Sequence, residues 1–154
     1  MLIREMTMQD VPAVAEIENQ CFSLPWSEQS LRDSVTREDT MFLVCEENSA
    51  KEDETLATGI TGYIGMYLSF EEGDITNVAV APQWRQKGYG EALVSKAIAL
   101  AKEKQLEMIL LEVRYSNAPA ISLYKKMGFE EIGIRKKFYE HPVEDALIMK
   151  CTLQ

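Results

Sequence analysis

The sequence predicts a mixed α/β fold in which a strongly twisted sheet carries helices on its faces. Short apolar strand patterns and amphipathic helix patterns follow one another along the chain. Glycine, proline and capping residues separate these segments. The 154 residues are 46 % hydrophobic, which suffices for one core, so we expect a single domain spanning 1–154.

The first elements are predicted to be a strand and two helices. Leu2 to Met6 alternates in polarity as a strand does, and Thr7 or Asp10 offers the cap of a helix with apolar residues at helical spacing. The proline-containing segment 22–26 breaks this helix, and Ser27 begins a second, shorter one.

Two apolar strands joined by an acidic segment follow. Met41 to Cys45 and Gly59 to Leu68 are compact apolar runs, which favours a hairpin. Residues 46–54 between them are acidic and lack large hydrophobic side chains, so we expect a solvated, mobile tip.

The central part predicts a strand, a helix and a second strand. Ile75 to Val80 forms the first strand after Gly73-Asp74 as the turn, and Pro82 ends it because proline has no N–H to donate. A broad apolar face predicts a helix from about Gly88 to Lys104. Met108 to Val113 is apolar on both sides, which is typical of a central strand covered by helices.

The last third predicts a helix and two strands. Ser116-Asn117 caps the helix, Pro119 lies in its first turn, and Gly128 ends it. Strands are expected near 131–138 and 146–153, and they complete the sheet.

Composition excludes several classes of function. A net charge of −9 disfavours a nucleic-acid surface, which needs a basic stripe, and favours cationic partners. No stretch approaches the roughly 18 apolar residues that span a membrane, so no membrane partner and a cytoplasmic location are expected. Cys21, Cys45 and Cys151 are widely spaced and are expected to be small buried hydrophobes. The single histidine, His141, gives no support for a metal site.

The segment Arg85-Gln86-Lys87-Gly88-Tyr89-Gly90 lies between a predicted strand and a predicted helix. Main-chain amides at such a helix N-terminus bind anions, and glycines permit a close approach. The glycines could instead serve turn geometry alone. Because neither the P-loop pattern nor the dinucleotide pattern is present, a diphosphate-bearing cofactor other than ATP or NAD is implied.

Arg85-x-x-Gly88-x-Gly90 resembles the pyrophosphate loop of the GNAT superfamily of acetyltransferases, Arg/Gln-x-x-Gly-x-Gly/Ala. Nearly the whole chain also resembles the ribosomal-protein-alanine N-acetyltransferase (RimI) family. The blocks that carry this resemblance are Phe22-x-x-Pro25-Trp26-Ser27, Asn77-Val78-Ala79-Val80-x-Pro82, Leu111-Glu112-Val113-Arg114-x-Ser116-Asn117 and Ala120-Ile121-x-Leu123-Tyr124-x-x-x-Gly128-Phe129, with Arg135, Tyr139 and Glu144-Asp145-Ala146.

The resemblance implies a fold, a cosubstrate and an activity. The implied GNAT fold is α/β (mixed α+β), with a strongly twisted, mixed, largely antiparallel sheet of about six or seven strands and helices on both faces. The implied activity is transfer of acetyl from acetyl-CoA, without a metal, to a protein N-terminus. The acceptor that the resemblance implies is the N-terminal alanine of a small-subunit ribosomal protein. Its amine attacks acetyl-CoA directly in a ternary complex.

The resemblance also assigns the cofactor-binding residues. Val78, Ala79 and Val80 lend their backbone to the pantetheine arm and an N–H to the thioester carbonyl. The loop 85–90 binds the diphosphate. Asn117 has two candidate roles, which are capping its helix and hydrogen-bonding the cofactor arm.

Glu112 is anomalous because a carboxylate interrupts an apolar strand. It could form an ion pair with Arg114 or Lys150, or it could lie at a strand end that reaches water. The family resemblance makes it the general base that removes a proton from the incoming ammonium. Tyr124 could be a core tyrosine on an apolar helix face, and the resemblance makes it the general acid that protonates the departing thiolate.

The acceptor side is assigned from less specific residues. Phe22 and Trp26, beside Pro25, could form a core plug or one wall of a substrate cleft. Pro25, Trp26 and Tyr139 are the expected substrate-binding residues. Phe138-Tyr139 departs from the resembled family, which commonly has two tyrosines at these positions. Lysine side chains or a small polyamine are alternative acceptors, and a non-catalytic acyl-CoA-binding regulatory module is an alternative of another class.

Overall fold

A computed structural model describes residues 1–48 and 59–153. In these ranges one sheet contains seven strands: β1 (Leu2–Glu5), β2 (Thr40–Glu46), β3 (Ile60–Ser69), β4 (Glu72–Val80), β5 (Met108–Arg114), β6 (Phe129–Tyr139) and β7 (Glu144–Thr152). Their order across the sheet is β1-β2-β3-β4-β5-β7-β6. Neighbouring strands are antiparallel except β4 and β5, which are parallel. The predicted mixed, largely antiparallel sheet is therefore confirmed.

Four α-helices cover the two faces of this sheet: α1 (Val11–Cys21), α2 (Glu28–Val35), α3 (Tyr89–Glu103) and α4 (Ala118–Lys126). Alternate residues of a strand point to opposite faces, so β2 contributes to two separate apolar clusters. Phe42 packs with Val14 of α1 and Leu31 of α2. Leu43 belongs to the cluster on the other face, which contains residues of α3 and α4. The prediction of helices on both faces is confirmed.

Local signals account for where the helices begin and end. The Ser27 hydroxyl accepts the Ser30 N–H at 3.1 Å and caps α2, and the Asn117 side-chain oxygen accepts the Ala120 N–H at 3.2 Å and caps α4. Gly128 follows α4 with a φ of +100°, a conformation that costs glycine little. The structure therefore confirms the predicted cap at Asn117 and the predicted start of α2 after Ser27. None of the helices in the described ranges is long and apolar enough to cross a membrane.

The predicted turn at Gly73-Asp74 is wrong. Both residues lie inside β4, and the hairpin turn consists of Phe70 and Glu71. Glycine and aspartate favour turns, which explains the error. At Gly73 the reason for glycine is packing instead, because a Cβ would lie 2.6 Å from the Met66 sulfur.

Strand β5 is not buried on both faces, as the sequence had suggested. Ile109, Leu111 and Val113 are buried, whereas the alternate residues, which include Leu110 and Glu112, are only half-buried. The apolar run therefore has one core face and one partly open face. The observed β6 and β7 also begin two residues earlier than their predicted starts.

Two further expectations concern the hairpin tip and the cysteines. The pairing of β2 with β3 confirms the hairpin, and the part of the predicted mobile tip from residue 49 onward lies outside the described residues. Cys45 and Cys151 are buried as expected. Cys21 is only half-buried, because it lies at the end of α1 near the edge of the candidate site.

Candidate functional site

A gap in the sheet forms the centre of the candidate site. The parallel pairing of β4 with β5 covers Glu72 to Ile75 opposite Met108 to Leu111 and ends there. Strand β4 continues to Val80 while paired only with β3. Main-chain N–H and C=O groups on the β5 side of residues 76–80 therefore have no strand partner, and such groups bind a ligand or solvent.

The segment after β4 presents main-chain amides at the N-terminus of α3. Gln86 and Gly88 have φ angles of +61° and +87°, and residues 85–88 are exposed. The Ala92 N–H donates to the Gly88 carbonyl at 3.0 Å and closes the first turn of α3, so the amides before Ala92 point away from the helix ladder. This arrangement is an anion-binding geometry.

Side chains of this segment make contacts of their own. Arg85 donates from Nε to the Val80 carbonyl at 3.2 Å and from Nη2 to the Cys21 sulfur at 3.2 Å. The Lys87 ammonium lies 4.8 Å from the centre of the Trp84 ring. Tyr89 is buried and donates its hydroxyl to Glu47, so only its main chain is available to a ligand in the loop. The Arg85 guanidinium is thus directed toward the ends of β4 and α1, and the Lys87 ammonium toward Trp84.

Glu112 lies on the partly open face of β5, beyond the end of the β4 pairing. Its carboxylate forms an ion pair with Arg135 of β6, at 3.0 Å between Oε1 and Nε. The expected alternatives, Arg114 and Lys150, are not its partners in this pair. Side-chain exposure is 25 % for Glu112 and 58 % for Arg135, so both ends of the pair are accessible to solvent.

Tyr124 lies on α4 with 8 % of its surface exposed, and its ring is 5.7 Å from that of Phe129. Burial, and secondarily the neighbouring Tyr139, raises the pKa of Tyr124 to about 12. Burial and the carboxylate of Glu112 raise the pKa of Tyr139 to about 12, against a smaller opposing effect of Arg114. The Arg114 guanidinium lies 4.5 Å from the centre of the Tyr139 ring, which places Tyr139 beside the strand that carries Glu112.

The acceptor-side segment between α1 and α2 approaches the turn between β6 and β7. The Ser23 hydroxyl donates to the main-chain carbonyl of His141 at 2.8 Å. Phe22 is 42 % exposed and is therefore not a core plug. Trp26 packs against the smaller apolar cluster, with its ring 6.5 Å from Phe42. Pro25 and Trp26 also line a cavity of about 530 Å³ beside α2.

The family model described as Acetyltransferase (GNAT) family matches residues 11–129. The chain belongs to the GNAT acetyltransferase family. Members of this family use acetyl-CoA as the acetyl donor. Within residues 1–48 and 59–153, this GNAT chain has no group of three or more His, Cys, Asp or Glu side chains placed to hold a metal ion.

Relatives cover nearly the full length of this GNAT chain. A Bacillus subtilis (strain 168) protein, provisionally assigned as a ribosomal protein bS18-alanine N-acetyltransferase, is 37 % identical and covers 98 % of this chain and 95 % of its own. The Haemophilus influenzae ribosomal protein bS18-alanine N-acetyltransferase is 32 % identical, with 99 % of both chains covered. The crystal structure of the Escherichia coli ribosomal-protein-S18-alanine N-acetyltransferase superposes with a TM-score of 0.88 at 28 % identity, covering 99 % and 94 %.

Sequence reasoning missed two features of this GNAT site. The first is the partner of Glu112, Arg135, which lies on β6. Strand β7 lies between β5 and β6 in the sheet, and no local sequence pattern indicates that β5 and β6 are so close. The second feature is a buried polar group formed by Glu18, Tyr63 and Asn77. A glutamate on the apolar face of α1 is the signal that could have indicated it.

Proposed function

We propose that the chain transfers acetyl from acetyl-CoA to the N-terminal amine of a protein, namely the N-terminal alanine of a small-subunit ribosomal protein. The observation that carries this proposal is the unpaired edge of β4, where the pairing with β5 ends at Leu111, immediately before Glu112. The names of the Haemophilus and Escherichia relatives, which specify alanine of the ribosomal protein S18, support the acceptor. Because ribosomal proteins are made in the cytoplasm, we place the activity there.

The residues present fit the cosubstrate. The exposed segment 85–88 and the positive φ angles of Gln86 and Gly88 suit a diphosphate at the N-terminus of α3. Val78, Ala79 and Val80 lie on the unpaired part of β4, where main-chain groups can hold a pantetheine arm by strand-like hydrogen bonds. The Asn117 side-chain oxygen caps α4, which leaves the NH2 of the same side-chain amide to donate to this arm. The thioester supplies the activated acetyl group.

Glu112 and Tyr124 then carry the proton transfers. The Glu112 carboxylate takes a proton from the incoming ammonium, directly or through water, so that the nitrogen lone pair can attack the thioester carbonyl carbon. A main-chain N–H of residues 78–80 stabilises the oxyanion. The carbon–sulfur bond breaks, the phenol of Tyr124 gives its proton to the thiolate, and the second proton of the nitrogen passes to the Tyr124 phenolate, which leaves the neutral amide. A raised pKa suits this role because the phenol keeps its proton at neutral pH.

The acceptor enters between the segment before α2 and the β6–β7 turn. Pro25 and Trp26 form one side, and Tyr139 forms the other, with its ring 4.5 Å from the Arg114 guanidinium. The contact of Ser23 with His141 joins the two sides.

One peptide assay tests the acceptor. The substrate begins with a free alanine and contains one internal lysine, and the control peptide carries a blocked N-terminus. Mass spectrometry should find acetyl on the α-amine of the first peptide and none on the control. Acetyl on the lysine of both peptides would reassign the chain to side-chain acetylation. Tight coenzyme A binding without transfer to any amine would instead indicate a binding module.

A further inference from the structure

A buried polar group lies on the α1 face of β4, directly behind the candidate site. Glu18 of α1, Tyr63 of β3 and Asn77 of β4 are 1 %, 0 % and 8 % exposed. They are surrounded by the apolar cluster that α1 and α2 form with the sheet. Unpaired polar groups in such surroundings are costly, so this group requires an explanation.

One oxygen of Glu18 joins two separate parts of the site. Oε1 accepts the main-chain N–H of Trp26 at 3.1 Å and the side-chain amide of Asn77 at 3.3 Å. Trp26 belongs to the acceptor-side wall, and Asn77 immediately precedes Val78 on the strand that faces the cosubstrate. Glu18 is thus a bridge between the acceptor wall and the donor strand.

The bridge is made by a carboxyl group that has no ion pair with a cation of residues 1–48 and 59–153. The groups that face Glu18 are Cys21, the Trp26 amide, Tyr63 and Asn77, none of which is basic. Burial raises the pKa of Glu18 against smaller opposing effects of the Trp26 amide, Tyr63 and Asn77. Its Oε2, the Tyr63 hydroxyl and the Asn77 carbonyl oxygen have no hydrogen-bond partner in the described part of the chain. A glutamate serving packing alone would be replaced by an apolar side chain at less cost.

We propose that Glu18 is a positioning residue for acetyl transfer. One buried oxygen of Glu18 fixes the position of Trp26, in the segment assigned to the acceptor, relative to Asn77 on β4, the strand assigned to acetyl-CoA. The proposal rests on the proposed function. Glu18 contacts neither substrate nor cosubstrate. Removing it displaces the attacking amine relative to the thioester without touching the diphosphate loop.

Two substitutions at position 18 separate positioning from simple stability. Glu18→Ala should lower kcat by on the order of 10-fold to 100-fold, the scale of a small misplacement of reacting groups. The Kd for coenzyme A should stay within about twofold, since the loop 85–90 is untouched. Glu18→Gln keeps an acceptor oxygen in the same place and should restore most of kcat. The matched control is Ile17→Val, an apolar change at the neighbouring buried position of α1, which should leave kcat unchanged.

Asn77→Ala breaks the same bridge from the β4 side and keeps the proposal testable if Glu18→Ala does not fold. If the two residues act through one link, the double variant should lose no more kcat than the worse single variant. Additive losses would overturn the bridge. Equal kcat losses in Glu18→Ala and Glu18→Gln would also overturn it, because the conservative variant would then rescue nothing.

Hydrogen exchange of the Trp26 amide gives a readout that is independent of turnover. Its protection should fall in Glu18→Ala and persist in Glu18→Gln and Ile17→Val. Unchanged protection in Glu18→Ala overturns the bridge even when the wild-type protein acetylates the alanine peptide. A wild-type protein that transfers acetyl to no amine overturns the proposed function instead, whatever the exchange result.

Discussion

At the residue scale, two glutamates of this chain lie in opposite surroundings. Glu112 is partly exposed and has a guanidinium partner 3.0 Å away. Glu18 is buried and faces only neutral polar groups. An incoming ammonium can compete for Glu112 because Arg135 is itself accessible to solvent. The two carboxyl groups are therefore suited to different tasks, proton transfer at Glu112 and positioning at Glu18.

Glu112→Gln should lower kcat by roughly 10²-fold to 10⁴-fold because the amide cannot accept a proton from the ammonium. Folding stability should change little, since exposed ion pairs contribute about 0–1 kcal/mol. Steady-state kinetics with saturating acetyl-CoA provides the measurement. The matched control is Glu131→Gln, which removes a strand glutamate that also has a cationic partner, Lys125 at 3.0 Å. If both variants have the same kcat, Glu112 is not the base.

Tyr124→Phe should lower kcat by about 10²-fold or more, because no group then protonates the leaving thiolate. The raised pKa of Tyr124, about 12, also predicts a pH dependence. An acid with a raised pKa keeps its proton to higher pH. Wild-type kcat should therefore stay constant between about pH 8 and about pH 10, whereas an ordinary tyrosine would begin to lose its proton in this range and kcat would fall. The exposed Tyr115, changed to Phe, is the control. An alkaline fall near pH 9 that only Tyr124→Phe abolishes would contradict the assignment.

At the element scale, the start of α3 combines two glycines with different reasons for being glycine. Gly88 has a φ of +87° and open space where a Cβ would be. Gly90 has no positive φ, and a Cβ there would meet Leu123 at 3.6 Å and Val80 at 3.8 Å, which are ordinary contact distances. Backbone conformation therefore requires glycine at Gly88 in the free protein, and at Gly90 only a close ligand would require it.

Gly88→Ala should reduce the free energy of unfolding by about 1–2 kcal/mol, the cost of a left-handed backbone for a residue with a Cβ. Gly90→Ala should leave it unchanged or raise it by up to about 1 kcal/mol, because alanine favours a helix interior. Urea denaturation of the two variants measures the difference. Both should weaken coenzyme A binding in calorimetry. Full coenzyme A affinity in Gly90→Ala would show that the amides of this loop do not hold the diphosphate.

Most of the fold could be predicted from local patterns, because helix caps and apolar periodicity act within a few residues. The cap at Asn117 and the start of α2 after Ser27 were correct for this reason. The errors arose where distant packing decides. Gly73 serves a close contact with Met66 across a strand pair, and Glu112 pairs with Arg135 from a strand that is not its neighbour. Neither contact leaves a signal in adjacent residues.

The candidate site likewise contains residues that the sequence could indicate and residues that it could not. The residues 85–90 and the glutamate in an apolar strand were visible because each is locally anomalous. The position of Tyr139 depends on the register of β6 with β7, which includes irregularities between Glu131 and Gly133 and between Arg135 and Tyr139. Pairing of this kind follows from the whole sheet and could not be derived from spacing.

At the scale of the whole molecule, the net charge of −9 favours encounters with cationic acceptors. With acetyl-CoA saturating, kcat/KM for an alanine peptide followed by several lysines should fall several-fold as ionic strength rises from about 0.02 M to about 0.3 M, because salt screens long-range attraction. A peptide of the same length without charged side chains should change much less. Identical salt dependence for the two peptides would exclude electrostatic steering.

Among the strands that the structure describes, the short parallel pairing between β4 and β5 alone joins the two halves of the sheet, so their relative position depends on the register of these two strands. Four residue pairs, from Glu72 with Met108 to Ile75 with Leu111, connect the half that contains the diphosphate loop to the half that contains Glu112. A slip by one residue would turn the side chain of Glu112 to the opposite side of the sheet, since strand residues alternate. Correct formation of the proposed site therefore depends on this alignment, and a misaligned chain would retain most of its secondary structure while its proposed base faced away from the site.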